Sequence, residues 1–193
     1  MNKKIFIVLL VNLLVAVIGG IAGVSIYKKM ETPKDLFKEF YDTENAVAIS
    51  PSALRKYIDN QDKNYVLVDL RSSGEYNLEH IVGAINIPAS SLDEKSVVSE
   101  FRKLPQDKQI IMYCYSAYCM LARQVGQVLA NEGIKAKDLN IGWSEWKYYW
   151  GIWNPGEDPK VGLKYLEIGT KTNPNTNINT TPDKCTTNSK FGC

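Results

Sequence analysis

Two short apolar runs constrain the fold of this 193-residue chain more than any other feature. Residues 65–70 (YVLVDL) and 109–113 (QIIMY) consist mainly of β-branched and aliphatic side chains, which is typical of buried strands. We predict further short strands at 46–49, 84–87 and 136–139, with helical segments between the strands. Strands that alternate with helices predict an α/β fold in which helices cover both faces of a parallel sheet.

The composition excludes several classes of function. The net charge is +2 and there is no basic stripe with interleaved aromatic residues, so nothing indicates a nucleic-acid partner. His80 is the single histidine, which rules out a histidine-rich metal site. The four cysteines, at 114, 119, 185 and 193, form no CxxC pair. We therefore predict neither a bound metal nor a cofactor.

The N-terminal segment predicts a membrane anchor. Residues 1–4 form a basic N-terminus, and residues 5–27 are uncharged and mostly apolar. A helix of that length can cross about 30 Å of hydrocarbon. A cleaved signal peptide is the alternative, although its apolar core is usually only ~7–15 residues long. Residues 28–45 are predicted to form a charged, helical connector.

Two opposing signals bear on the side of the membrane where the rest of the chain lies. Lys28, Lys29, Lys34 and Lys38 follow the apolar segment, and their positive charge favours a cytoplasmic domain. The short basic head, however, is typical of export signals, and the late cysteines and the Asn/Thr-rich tail suit the outside. We predict a single-pass membrane protein with an extracytoplasmic domain, on the periplasmic side in a bacterium.

Three motifs follow one another in the middle of the chain. Segment 69–88 (DLRSSGEYNLEHIVGAINIP) comes first, Cys114 follows the second apolar run, and 139–146 (LNIGWSEW) comes last. Together they resemble the rhodanese family at that family's spacing. The resemblance implies a rhodanese-like domain over residues 46–155, followed by a C-terminal extension and mobile tail at 156–193.

Cys114 is the candidate catalytic residue. It ends a predicted strand, and ligands of parallel sheets bind beyond the carboxyl ends of strands. Backbone N–H groups of the next loop and the positive end of the next helix would favour an anion there and lower a thiol pKa. From the pattern alone, a buried and inert cysteine is equally compatible. The resemblance implies that Cys114 carries sulfane sulfur as a persulfide. The predicted cradle consists of Tyr115, Ser116, Ala117, Tyr118, Cys119 and Met120.

The resemblance thus implies a membrane-anchored sulfurtransferase. Such an enzyme would take sulfur from thiosulfate or a persulfide and pass it to a thiol acceptor. The alternative function is a thiol redox module, or a module that uses the fold only to dock a protein partner. The two functions differ in whether a cysteine becomes loaded with sulfur.

The sequence departs from the family pattern in the loop after Cys114. Family members often have C-x-x-G-x-R there, whereas this chain has Ala117 in place of the glycine and Cys119 in place of the arginine. Because the loop lacks a basic residue, we expect thiosulfate to be a poor donor. Met120 stands where a phosphatase of related fold needs an arginine, which excludes phosphatase chemistry. Cys119 is a candidate resolving thiol, with a packed and inert role as the alternative.

Several polar residues of the first motif are expected to stabilise the fold. Asp69 and His80 are interpreted as hydrogen-bonded structural residues. Arg71 is interpreted in the same way, and it is also retained as a candidate substrate contact.

Two features near the C-terminus have two interpretations each. The tryptophans at 143, 146, 150 and 153 share one helical face, which is predicted to close the core, with a membrane-interface belt as the alternative. Cys185 and Cys193 are predicted to close a small disulfide loop, with a sulfur-carrying arm as the alternative.

Overall fold

The computed structural model describes residues 3–30, 32–169 and 191 of the chain. The chain divides into two units, Met1–Glu44 and Asn45–Cys193. Cys185 and Cys193, for which a disulfide loop or a sulfur-carrying arm is predicted, lie outside the described residues.

The first unit is helical. Helix α1 covers Lys3–Met30, and α2 covers Pro33–Val47, beginning in the first unit and ending in the second. The 23 residues Lys3–Ser25 are long and apolar enough to cross a membrane, and none of their most apolar stretch is buried inside the protein. A signal sequence satisfies the same criterion. The helix therefore agrees with an anchor without distinguishing it from a signal.

The second unit is built on a parallel sheet. Its strands are β1 (Ala48–Ile49), β2 (Tyr65–Asp69), β4 (Ala84–Asn86), β5 (Gln109–Tyr113) and β6 (Ala136–Leu139). They lie side by side in the order β1-β6-β5-β2-β4, and every neighbouring pair is parallel. A second, antiparallel sheet pairs β3 (His80–Ile81) with β7 (Leu166–Glu167). The predicted α/β class and parallel sheet are confirmed, and the small sheet was not predicted.

Helices connect the strands and cover the sheet. They are α3 (Pro51–Asp59), α4 (Ser73–Leu78), α5 (Glu94–Arg102), α6 (Leu121–Asn131), α7 (Trp143–Tyr148), α8 (Trp150–Trp153) and α9 (Pro159–Gly162). Ser50 caps α3, as its position before a proline predicts, by accepting a hydrogen bond from the Ala53 N–H at 3.2 Å. Helix α5 begins at Glu94 because Asp93 is its cap. Helix α6 begins at Leu121, so Cys119 lies in the preceding loop.

Successive side chains of a strand point to opposite faces of the sheet, and one hydrophobic cluster lies on each face. Ile110 and Met112 of β5 pack with residues of α5 and α6. Ile111 and Tyr113 pack on the other face with residues of α3, α7 and α8. The carboxyl ends of β2 and β5 are aligned because Asp69 pairs with Tyr113 in the register. This edge of the sheet is where Cys114 emerges.

The tryptophan-rich segment closes the second cluster. Trp146 and Trp150 are buried, and the ring of Trp150 stacks on Tyr165 with centroids 5.4 Å apart. Arg55 lies beside this aromatic pair, with its guanidinium 5.3 Å from the Trp150 ring centroid and 5.5 Å from the Tyr165 ring centroid. A side chain at Gly162 would approach the Trp150 ring to 2.8 Å, so a glycine lets α9 pack there. The structure favours the core-closing interpretation over a membrane-interface belt, and the packing continues past residue 155.

Replacing Trp150 should test this packing. We expect Trp150→Ala to lower the free energy of unfolding by about 3–5 kcal/mol, because it leaves a cavity between Tyr165 and Trp146. Ile152→Ala is the matched control, since that side chain is 77% exposed and should change stability by less than about 0.5 kcal/mol. Urea unfolding followed by far-ultraviolet circular dichroism measures both. Equal effects of the two substitutions would contradict the packing role.

Candidate functional site

The loop that follows Cys114 is held by the start of α7. The Trp143 N–H donates to the carbonyl of Cys114 at 2.9 Å, and the Ser144 N–H donates to the carbonyl of Tyr115 at 2.9 Å. The Ser144 hydroxyl donates to the same Tyr115 carbonyl, also at 2.9 Å. The third motif, LNIGWSEW, therefore fixes the backbone of the second.

Gly142 permits the loop and α7 to approach this closely. A Cβ atom at this position would lie 2.2 Å from the backbone N and 2.3 Å from the Cα of Ser116. Backbone atoms cannot move aside without displacing the loop. The glycine that the sequence places before Trp143 is therefore required by the close approach of two backbone segments, and its φ of −101° is ordinary.

Glu145 makes a further connection between α7 and the loop. Its Oε2 accepts hydrogen bonds from the Ala117 N–H and from the Gly142 N–H, each at 3.0 Å. Sequence reasoning missed this residue. Glu145 is three residues after Gly142, the residue that precedes α7. A carboxylate at this position commonly accepts a hydrogen bond from a backbone N–H, and this pattern could have identified it.

The two thiols of the site are in contact and are not joined by a disulfide. The Cys114 thiol donates to the carbonyl of Cys119 at 3.7 Å and lies 4.0 Å from the carbonyl of Ser116. It also interacts with the neighbouring Cys119 thiol. Cys114 is 3% exposed, whereas Cys119 is partly exposed. The structure thus brings together the predicted catalytic cysteine and the predicted resolving cysteine.

The two thiols have different acidities. The hydrogen bond from the Cys114 thiol lowers the pKa of Cys119 to about 6, and backbone N–H groups of Leu121, Tyr115 and Ser116 act in the same direction against the effect of burial. Interaction with Cys119 and then burial raise the pKa of Cys114. The sequence predicts that the loop lowers the pKa of Cys114. In the structure the loop lowers the pKa of Cys119 instead. The physical reason is that the interaction between the two thiols favours negative charge on Cys119, and that Cys114 is also more deeply buried.

Asp138 is a third titratable group beside the thiols. Asp138 lies on β6 opposite Met112 of β5, and Met112 is two residues before Cys114 in the chain. The Oδ2 atom of Asp138 is 3.7 Å from Nε of Arg123 on α6. Burial raises the pKa of Asp138 to about 6, although Arg123 opposes the shift, and the nearby Cys119 adds to it.

Asp69 and Arg71 form a buried ion pair beneath the site. Arg71 Nη2 donates to Asp69 Oδ2 at 2.7 Å and to the Glu79 carbonyl at 2.8 Å, and the Tyr113 hydroxyl donates to Asp69 Oδ2 at 2.6 Å. The guanidinium of Arg71 lies 4.2 Å from the Trp143 ring centroid and the residue is 2% exposed. These contacts agree with the structural interpretation of both residues. The role of Arg71 as a substrate contact stays a prediction.

The remaining polar residues of the first motif also have partners within the protein. Glu75 Oε2 accepts from the Tyr115 hydroxyl at 2.8 Å and from the Ser72 hydroxyl at 2.6 Å, which ties α4 to the loop. His80 Nδ1 lies 2.8 Å from the carbonyl of Tyr76, and the two rings stack at 3.8 Å. These contacts agree with the structural interpretation of His80.

The predicted cradle residues do not share one environment. Tyr115 and Ser116 are partly buried, whereas Tyr118 is 91% exposed and Met120 is 52% exposed. The side chains of Tyr118 and Met120 therefore form the solvent-facing rim of the loop. Within residues 3–30, 32–169 and 191, no group of three or more His, Cys, Asp or Glu residues is placed to hold a metal ion.

Comparison with known proteins identifies the domain. The family model of the rhodanese-like domain matches residues 50–148. An HTH-type transcriptional regulator of Mycobacterium tuberculosis is 37% identical over 81 residues, which cover 42% of this chain and 34% of that protein. The thiosulfate:glutathione sulfurtransferase of Saccharomyces cerevisiae is 31% identical over 83 residues, which cover 39% of this chain and 60% of that protein. Both alignments span less than two thirds of the relative's own length.

A solved structure agrees with the fold. A Bacillus halodurans protein of known crystal structure superimposes with a TM-score of 0.53 and 24% identity, covering 61% of this chain and 82% of that chain. At this identity the likeness concerns the fold alone.

The difference in acidity predicts which thiol reacts first. We expect iodoacetamide to alkylate Cys119 at a rate that rises as the pH increases through about 6 and then levels off, because only the thiolate reacts. Cys114 should react slowly, since it is buried and its pKa is raised. Mapping of alkylated peptides from the full chain across this pH range measures both rates.

A substitution provides the control for this experiment. Cys114→Ala removes the thiol that donates to Cys119, so the midpoint for alkylation of Cys119 should move to higher pH. A midpoint near the ordinary cysteine pKa of about 8.5 in the unsubstituted protein would show that the loop does not stabilise the thiolate.

Proposed function

The chain belongs to the rhodanese-like domain family, and on that premise we propose that it is a membrane-anchored sulfurtransferase that carries sulfane sulfur on Cys114. The observation that carries the proposal is the position of Cys114 at the carboxyl end of β5, in a loop whose backbone is fixed by α7. Parallel sheets bind ligands at this edge. A relative whose name states thiosulfate:glutathione sulfurtransferase activity adds support.

The first step loads the cysteine with sulfur. The Cys114 sulfur attacks the outer sulfur of a donor, and the bond between that sulfur and the rest of the donor breaks. With thiosulfate the leaving group is sulfite, which departs with the electron pair; with a persulfide it is a thiolate. Because the pKa of Cys114 is raised, its thiol does not ionise by itself near neutral pH, and its proton passes to the neighbouring Cys119 thiolate as the new sulfur–sulfur bond forms.

The second step transfers the sulfur. An acceptor thiolate attacks the outer sulfur of the Cys114 persulfide, forms a new persulfide and releases the Cys114 thiolate. Alternatively, the Cys119 thiolate attacks the inner sulfur, which gives a Cys114–Cys119 disulfide and releases hydrosulfide. The contact between the two thiols supports this resolving role, because neighbouring thiols react at high effective concentration. An external thiol then reduces the disulfide.

A thiol redox or partner-docking module is the second candidate function. Two observations favour it: the loop 115–120 has no lysine or arginine, and the two thiols already touch. In that function Cys114 and Cys119 would cycle between dithiol and disulfide, or the exposed rim of Tyr118 and Met120 would contact a partner, and no sulfur would be loaded.

We also propose that α1 anchors the protein in a membrane, with the domain outside the cytoplasm. The apolar stretch Lys3–Ser25 is long enough to span the hydrocarbon, and all its apolar side chains from Ile5 to Val24 are available to lipid. The short basic head before it is typical of exported segments.

Sulfur loading separates the two functions. After incubation of the full chain in mild detergent with polysulfide or thiosulfate, we expect a mass gain of about 32 Da that maps to Cys114. Cys114→Ser should abolish the gain. Cys119→Ser should load more slowly because the proton acceptor is absent, and once loaded it should retain the sulfur for longer because the resolving thiol is absent. Loading of Cys114→Ser to the same extent would refute the assignment, and no loading of the unsubstituted chain by any donor would favour the redox or docking module.

Membrane fractionation tests the anchor. We expect the protein to stay in membranes washed with alkaline carbonate and to keep its original N-terminus. Leu14→Arg should release it or block its insertion, because a charge at the centre of a spanning helix costs about 2.5–3.5 kcal/mol. A soluble mature protein that begins after Ser25 would show that the segment is a cleaved signal.

A further inference from the structure

The charges around the active loop are predominantly negative. The loop itself, residues 115–120, contains no lysine or arginine. Two carboxylates contact it: Glu75 through the Tyr115 hydroxyl at 2.8 Å, and Glu145 through the Ala117 N–H at 3.0 Å. Within the described ranges, neither of these carboxylates forms an ion pair with a lysine or arginine. Their negative charge therefore repels any anion that approaches the loop.

Three cations on segments next to the loop in the fold are each paired with another carboxylate. Arg71 is buried against Asp69, with Nη2 and Oδ2 2.7 Å apart. Lys147 pairs with Glu79, and Arg123 lies 3.7 Å from Asp138. These pairs leave little positive charge with which to receive a doubly charged donor.

Glu145 is the carboxylate that is fixed most directly to the loop backbone. One oxygen accepts both the Ala117 N–H and the Gly142 N–H, so its position is set by two segments at once. It also occupies the Ala117 N–H, a hydrogen-bond donor that the oxygen of an anionic substrate could otherwise use. The residue therefore acts against an oxyanion both through its charge and by occupying a donor.

We propose that Glu145 is a specificity-determining residue that selects sulfur donors with at most one negative charge over the thiosulfate dianion. The proposal rests on the sulfurtransferase function proposed above and names the donor class for the same site. Coulomb repulsion from a fixed carboxylate grows in proportion to the charge of the donor, so it weakens the binding of the dianion most. A persulfide on a thiol whose other groups are neutral or cationic fits the site best.

A matched pair of donors isolates the effect of charge. Thiosulfate and methanethiosulfonate offer the same outer sulfur, but a methyl group in the second replaces one charged oxygen of the first. Sulfur transfer to cyanide is measured with the full chain in mild detergent. Glu145→Gln removes the charge and keeps an oxygen that can accept both N–H bonds. We expect this substitution to lower the KM for thiosulfate about threefold to tenfold, to lower the KM for methanethiosulfonate clearly less, and to leave kcat nearly unchanged.

Two controls separate this role from a structural one. Glu132→Gln removes the same unit charge just beyond the far end of α6, where Glu132 pairs with Arg102, and should leave both KM values unchanged. Raising the ionic strength should lower the thiosulfate KM of the unsubstituted protein and have a smaller effect on Glu145→Gln, because salt screens the repulsion.

The outcomes distinguish this inference from the function on which it rests. If the unsubstituted chain transfers sulfur but Glu145→Gln changes neither KM, or changes both equally, Glu145 does not select donors by charge. If Glu145→Gln fails to fold, a thiosulfate KM of the unsubstituted chain that does not respond to salt overturns the inference by itself. If no donor loads the unsubstituted chain, the proposed sulfurtransferase function fails, and the inference fails with it.

Discussion

The contact between the start of α7 and the loop after β5 is the constraint on which the site depends. It joins two segments about 28 residues apart, from Ala117 to Glu145, through backbone hydrogen bonds and one carboxylate. Only a glycine at position 142 lets the two backbones come this close. Because the hydrogen bonds use the carbonyls of Cys114 and Tyr115, they orient the loop at the point where the thiol emerges. The backbone that carries Cys114 is therefore held in place by the first residues of α7.

This fixed loop makes the two cysteines chemically unequal. Several loop N–H groups face Cys119, so that thiol carries negative charge readily, while Cys114 is buried and acts as its hydrogen-bond donor. A thiolate beside a thiol can receive a proton or attack a neighbouring sulfur. Sulfur transfer and dithiol redox chemistry both draw on that pair, and they differ in which sulfur atom is attacked.

A buried polar network supports the loop from the side of β2. Asp69 accepts from Arg71 and from the Tyr113 hydroxyl, and the Arg71 guanidinium contacts the Trp143 ring, so the network reaches the first residue of α7. Removal of one partner from such a buried pair typically costs about 3–5 kcal/mol, because the other charge is left without compensation. The polar residues of the first motif thus hold in place the elements that form the site.

The sequence by itself determined the class of fold, the order of the motifs and the place of Cys114 at a strand end, because these depend on local pattern and on chain order. The cap at Ser50 is equally local. Tertiary structure alone decided the rest. It placed Tyr165 and the strand after it against the second cluster, and it set Glu145 on Ala117. It also made Cys119, and not Cys114, the more acidic thiol, because burial and the direction of backbone N–H groups are properties of the folded chain that no local pattern records.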